Sequence, residues 1–168
     1  LTLSGDVTVG TDVVIGAPTG RILAGANRIT VFDSWDNQRG NAGFVPGTST
    51  VDFVAPALST ITITGDTTFY DFERTTGNII IEFGAGDTFA IAPGGTFTAT
   101  GTGPPDIETR DPLTYSSPPW ENDIILVSDA PPGQWIFDPA PSANIVIAFV
   151  FVDDSQATIP VVVPPNIL

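Results

Sequence analysis

The spacing of short extended segments limits most what this chain can fold into. Through the middle of the sequence the apolar centres Val51, Ile61, Phe69, Ile80, Phe89 and Phe97 recur every eight to eleven residues. They lie in runs (residues 50–54, 60–64, 67–72, 78–83, 87–91 and 96–100) that alternate, at least in part, between apolar and polar. A period of two sends successive side chains to opposite faces of a strand, and strands in series at this spacing mark an all-β chain. Gly65-Asp66, Gly84-Ala85-Gly86-Asp87 and Pro93-Gly94-Gly95 supply the turns. No stretch carries the 3.6-residue apolar repeat of an amphipathic helix.

The first part of the chain follows the same plan with shorter pieces. Val7-Thr8-Val9 breaks at Gly10, Asp12-Val13-Val14-Ile15 at Gly16-Ala17-Pro18, and Arg21-Ile22-Leu23 and Arg28-Ile29-Thr30-Val31-Phe32 follow. Segments this short, with a turn every few residues, suit coils winding up a solenoid better than the longer strands of a sandwich. A jelly-roll-like β-sandwich is the alternative. Composition agrees with either: 42% hydrophobic and 14% charged residues place the chain among folded proteins rather than disordered ones. The 168 residues suffice for one all-β domain spanning 1–168. A Pro-rich excursion at 101–122 interrupts the pattern, because proline has no amide hydrogen for a ladder. It reads as a long surface excursion that can separate two subdomains.

Residues 145–152, Ile-Val-Ile-Ala-Phe-Val-Phe-Val, break the alternation. Read as one strand, residues 144–152 carry apolar side chains on both faces, so a second layer of this chain or a neighbouring subunit must cover the outer one. The run is far too short to cross a bilayer as a helix.

The missing residue types narrow the function. The chain has no Cys, no His and no Lys, its five basic residues being Arg21, Arg28, Arg39, Arg74 and Arg110. That removes disulfides and thiolate metal sites, the usual general base, Schiff-base chemistry and the phosphate-loop lysine. A net charge of -14 opposes binding to nucleic acid or to an anionic membrane. Beginning at Leu1 rather than Met, the chain reads as processed or as a fragment of something longer. It carries no Met, no Asn-Gly and no N-glycosylation sequon, a composition that suits a durable extracellular material.

Acidic groups are the candidates for chemistry. Asp33 and Asp36 flank Trp35, and Asp153-Asp154-Ser155 ends a strand; both arrangements gather oxygen ligands of the kind calcium takes. Asp106, Glu108 and Asp111 cluster in the Pro-rich stretch, with Glu121 near Asp123. None follows a known calcium-loop spacing, and acidic residues at turns commonly only cap strands. No local motif singles out a catalytic carboxylate pair. Trp35, Trp120, Trp135, Tyr70 and Tyr115 are the aromatics available to stack on sugar rings, unless they serve the core.

Several stretches carry a resemblance. Gly43-Phe44-Val45-Pro46-Gly47-Thr48-Ser49-Thr50-Val51-Asp52-Phe53, Ile63-Thr64-Gly65-Asp66-Thr67-Thr68-Phe69-Tyr70 and Phe83-Gly84-Ala85-Gly86-Asp87-Thr88 resemble the repeat-like β-modules of large bacterial and archaeal surface proteins. Pro132-Gly133-Gln134-Trp135 and Phe151-Val152-Asp153-Asp154-Ser155 sit where such modules carry a Trp turn and a strand end. The resemblance implies a right-handed parallel β-helix or related β-solenoid in an adhesin-like context. The expectation is a non-enzymatic extracellular structural module that self-associates into a filament, surface layer or adhesin stalk. Copies would join through strand edges or apolar terminal segments such as Ile159-Pro160-Val161-Val162-Val163. Charge repulsion would make assembly depend on salt or calcium. A module that binds surface glycans or degrades polysaccharide is the other reading.

Overall fold

A computed structural model of the chain describes residues 1–101, 124–130, 132–148, 150–152 and 155–157. The Pro-rich stretch 102–123, Asp153, Asp154 and the tail from residue 158 lie outside them. The chain is all-β, and every strand pairing among the described residues is parallel. A jelly-roll-like sandwich is built of antiparallel strands, so this pairing does not fit that alternative.

Three lines of strands receive the chain in turn. The longest sheet takes β1 (Val7–Val9), β4 (Arg28–Val31), β7 (Thr50–Phe53), β9 (Thr67–Arg74), β11 (Thr88–Thr100), β13 (Trp135–Pro139) and β16 (Ser155–Ala157) in that order. Its β14 (Asn144–Ala148) pairs with the second half of β11. A second sheet takes β2 (Val13–Val14), β5 (Trp35–Asp36), β8 (Ser59–Thr64), β10 (Ile79–Phe83), β12 (Ile124–Ser128) and β15 (Val150–Val152). β3 (Ile22–Leu23) pairs with β6 (Phe44–Val45) in a third, short sheet. Each pass therefore lays a new strand directly on the one before it. In the early turns the step is constant: Val7 lies on Ile29 and Ile29 on Val51, 22 residues apart each time.

Alternation decides which side is core. In β4 and β7 the buried residues are Ile29, Val31, Val51 and Phe53, and in β8 and β10 they are Ile61, Ile63, Ile79, Ile81 and Phe83. Inward aromatic side chains of successive turns meet in the core, and register itself sets Phe72 against Phe97. Phe53, Phe72, Phe97 and Phe137 form a continuous column with ring centroids 5.1, 4.8 and 5.0 Å apart. Trp135 lies flat on Phe83 at 4.2 Å. Each such ring contributes about 1.5–3 kcal/mol by leaving water, and each pair about 0.5–1.5 kcal/mol more.

Where strands turn, successive turns approach so closely that a side chain does not fit. Gly47 has φ +59, and a Cβ there would strike the carbonyl oxygen of Gly25 one turn below. Gly65, at φ +76, meets the carbonyl of Asn37 in the same way. Only glycine satisfies both the left-handed backbone and the contact.

The segment read as one doubly apolar strand is two. β14 ends at Ala148 in the long sheet, and β15 begins at Val150 in the second sheet. The corner resets the parity: Ile145 and Ile147 pack against the core while Val146 faces out, and Val150 faces in while Val152 is exposed. The run lacks polar partners because a sheet change interrupts it. The two segments around Pro93-Gly94-Gly95 are, conversely, one strand, β11, whose register against β9 shifts at those residues. Among the described residues no helix is long and apolar enough to cross a membrane.

Candidate functional site

With His, Cys and Lys absent, carboxylates are the main acid–base candidates, and the structure gives six of them a backbone partner. A corner between two strands leaves N–H groups that no ladder uses, and aspartates of the adjoining turn accept them. Asp6 Oδ1 accepts the N–H of Arg28 at 2.8 Å, Asp12 Oδ1 that of Ser34 at 3.2 Å, and Asp66 Oδ1 that of Thr88 at 2.7 Å. Asp71 Oδ1 accepts from Thr96 at 2.8 Å, Asp87 Oδ2 from Gly65 at 2.7 Å and Asp129 Oδ1 from Ala85 at 2.7 Å. Four of these reach over 22 residues, the length of one early turn. A bond to an ionised acceptor is shorter and stronger than a neutral one, so each aspartate clips two turns together. Capping of this kind is what acidic turn residues offer from sequence; the partner, one turn away, is what sequence reading left open.

The densest charge cluster lies on the outward face of β4, β7 and β9. Register sets Asp52 directly against Glu73, a like-charge pair that is unfavourable alone. Arg28 resolves it: one guanidinium nitrogen donates to Asp52 Oδ2 and Glu73 Oε2, each at 2.6 Å. The hydrogen bond that Arg28 donates to Asp52, opposed by partial burial and helped by Glu73, holds the Arg28 pKa above its ordinary value. Beside them Asp71 accepts from the hydroxyl of Thr50 at 3.4 Å. A glycosidase needs two carboxylates free to flank a sugar from opposite sides. Asp52 and Glu73 instead share one cation on an outward sheet face, an arrangement that braces three turns.

Of the residues singled out as calcium ligands, the structure describes Asp33 and Asp36, and each takes a hydrogen-bond partner of its own. Asp33 is exposed and accepts from the hydroxyl of Ser34 at 3.3 Å. Asp36 accepts from Gln38 at 2.7 Å and from Thr64 at 3.2 Å. Trp35 between them points the other way, into the core, with no exposed surface. Among the described residues no group of three acidic side chains is placed to hold a metal ion. Asp153 and Asp154 lie outside the described residues, as do the acids at 106, 108, 111, 121 and 123. Trp135 is core like Trp35, which takes two of the three tryptophans away from any sugar-stacking platform. Tyr70 is half-buried, and Trp120 and Tyr115 lie outside the described residues.

Two polar residues matter that sequence reading passed over. Arg74 is 1% exposed and faces inward at the end of β9. Its Nη1 donates to the carbonyls of Phe53 at 2.8 Å and Ala55 at 3.1 Å, and its Nε to Thr76 at 2.7 Å. Burial pushes its pKa down, and the charge of Asp52 partly restores it. The available signal was parity: Arg74 shares the face of Phe72. Asn37, wholly buried, donates through Nδ2 to the carbonyls of Gly40 (2.8 Å) and Asp66 (3.0 Å) and to Thr67 Oγ1 (3.0 Å), closing the corner after β5. No sequence signal marks it.

Comparison with protein-family models, with curated proteins and with solved structures gives no match for this chain.

Proposed function

We propose that this chain is a right-handed parallel β-helix serving as a non-enzymatic structural module of an extracellular filament, surface layer or adhesin stalk. What carries the reading is the use made of the charged groups. The carboxylates of Asp6, Asp12, Asp66, Asp71, Asp87 and Asp129 accept backbone N–H groups of adjoining turns, and Asp52 and Glu73 share Arg28. Polar chemistry is thus spent on holding strands in register. The hand follows from the strong preference of parallel crossovers for right-handed connection. The extracellular placement rests on composition: neither Cys nor Met to oxidise, and a surface acidic enough to stay soluble at high concentration.

Self-association through strand edges fits the same frame. Among the described residues β1 and β2 pair on one side only, leaving the N–H and C=O groups along the other side for a further strand. A parallel strand of a second copy adds there without altering the ladder. The net charge of -14 opposes that step until salt screens it.

The test is electron microscopy of the purified chain across a salt and calcium series. Linear rods or a lattice that lengthen as ionic strength rises are expected. Particles that remain single at every salt and calcium concentration would sink the assembling role. Glycan binding that is lost in Tyr70→Ala or Trp120→Ala, with folding intact, would instead favour a carbohydrate-binding module.

A further inference from the structure

Turns that climb by one step share one set of clips. Asp6 accepts the N–H of Arg28 and Asp12 that of Ser34, each reaching up 22 residues. The clipped positions are stacked, one residue before the pairs Val7–Ile29 and Val13–Trp35. By the same backbone course the N–H groups of Asp6 and Asp12 look down the stack in their turn. Among the described residues no acceptor is placed for them.

The strand groups at this end are open in the same way. Val13 and Ile15 donate to the carbonyls of Ser34 and Asp36 at 2.9 and 2.8 Å, and the Val9 carbonyl accepts from Phe32 at 3.0 Å. Leu3 donates to the Leu23 carbonyl at 3.0 Å, and Leu23 to that of Leu1 at 2.9 Å. Successive residues of a strand send their N–H and C=O to opposite sides, so those of Thr2, Thr8 and Val14 face away from the turn above. One such residue stands on each of the three strand lines, six residues apart. Between them the inward Val7 and Val9 are half-buried, where Ile29 and Val31 one turn up are 3% and 0% exposed.

Charge decides what can sit there. The first 40 residues set Arg21, Arg28 and Arg39 against Asp6, Asp12, Asp33 and Asp36. Beyond them the described residues carry eight carboxylates and one arginine, the buried Arg74. Because the strands stack in chain order, the lower end is nearly neutral and the upper turns are acidic. Two upper ends repel. Two lower ends leave the clips unfilled, since Asp6 and Asp12 of each copy already point up to Arg28 and Ser34. A lower end against acidic upper turns avoids both faults.

We propose, on the reading of this chain as a self-associating module, that copies join with one polarity. The edge of Thr2, Thr8 and Val14 receives the acidic upper end of a second copy. Parallel backbone bonds form at those residues, and carboxylates of the incoming turn take the N–H groups of Asp6 and Asp12. A contact that uses different surfaces on the two copies and runs along the stack does not close on itself, so its product is a linear rod.

Thr8→Pro with Val14→Pro removes two of the open N–H groups and touches no bond to the turn above. In salt that assembles the wild type, this variant should keep a urea midpoint close to wild type and sediment as single copies. Its upper end is intact, so it should still enter wild-type rods and stop them. One variant to ten wild-type copies should hold rods to about ten copies on average. Assembly of the wild type should slow amide exchange at Asp6, Thr8, Asp12 and Val14 by about tenfold or more. A folded variant that polymerises like wild type overturns the proposal. So does one that stays single but leaves wild-type rods unshortened, the mark of a two-fold contact between lower ends. Rods that form with those four amides unprotected overturn it as well. If the prolines unfold the chain, Thr8→Asp with Val14→Asp takes their place, setting two more carboxylates against an acidic partner, with the same outcomes. A wild type that stays single at every salt and calcium concentration sinks self-association itself, and this polarity with it.

Discussion

Arg28 and Arg74 stand on one sheet, two strands apart, and solve opposite problems. Arg28 on β4 faces solvent and is matched by formal charge: two carboxylates set against each other by register take one guanidinium between them. Arg74 on β9 faces the core and is matched by dipoles, the carbonyls of Phe53, Ala55 and Thr76 at one corner. The outer cluster can lean on water, because every member keeps solvent contact. The inner one cannot, because a charge taken from water is tolerable only if each of its donors finds an acceptor. The same residue type is a surface brace in one region and a corner post in the other. Burial, and not residue identity, sets what each is worth.

The largest test breaks the inner half of that contrast. Arg74→Met keeps the packing volume but takes the donor from the buried contacts to Phe53 and Ala55 and from the part-buried one to Thr76. It should lower stability by about 3 kcal/mol or more, read as a fall in the urea midpoint at unchanged slope. Arg74→Lys should recover only part of it, since one ammonium cannot reproduce a planar fork aimed at separated acceptors. A midpoint that barely moves in Arg74→Met would mean the corner rests on the surrounding aromatic column instead.

Asp71 lies between the two regimes: on the outer face, half-buried, and bound to backbone. Asp71→Ala removes the acceptor for the Thr96 N–H where β11 resumes after its register shift, and should cost about 1–2 kcal/mol. Asp71→Asn keeps an acceptor and should cost less than half of that. Equal losses in the two variants would mean the charge matters more than the clip. Smaller again is the outer brace. Arg28→Ala should cost about 0.5–1 kcal/mol at low salt, because it frees Asp52 and Glu73 to repel. The loss should shrink above about 0.5 M salt, where screening acts within a few ångströms, whereas the Arg74 effect should not. Glu73→Gln in the Arg28→Ala background should recover most of it.

How much of this was legible in sequence follows from the same distinction between line and face. The all-β class and the places of the strands came through, because alternation and glycine turns are local. The step of 22 was present as well: Val7-Thr8-Val9, Ile29-Thr30-Val31 and Val51-Asp52-Phe53 repeat one pattern. A reading by single strand spacing passes over it, since each turn holds up to three short segments. Farther on the step itself changes, with Ile61 lying on Ile81 but Ile81 on Leu126 across the long connection, so no fixed period extends there. Asp33 and Asp36 look like a ligand pair in one dimension, yet the strand turns Trp35 inward between them and each carboxylate finds its own local donor. Residues 145–152 look like one strand because a corner leaves no mark when apolar residues stand on both sides of it. Arg74 was hidden for the converse reason: parity pointed it inward, while its chemistry argued for the surface.

Glu82 sharpens the comparison from the third side, as an outward charge to which the described residues offer neither cation nor clip. Burial and the neighbouring Asp129 raise its carboxyl pKa, so the folded state holds that proton more tightly than the unfolded chain does. Linkage then fixes the sign. The favourable contribution is full below the ordinary glutamate pKa, declines as pH rises through the folded value, and at neutral pH the ionised form is a net cost. Glu82→Gln should therefore stabilise the protein at pH 7, by under about 1 kcal/mol once solvent screening is counted, and change nothing near pH 3. Midpoints of urea unfolding for wild type and Glu82→Gln should coincide in acid and separate as pH rises. The opposite order, with the variant weaker at neutral pH, would mean that Glu82 has a donor and belongs with the braced carboxylates.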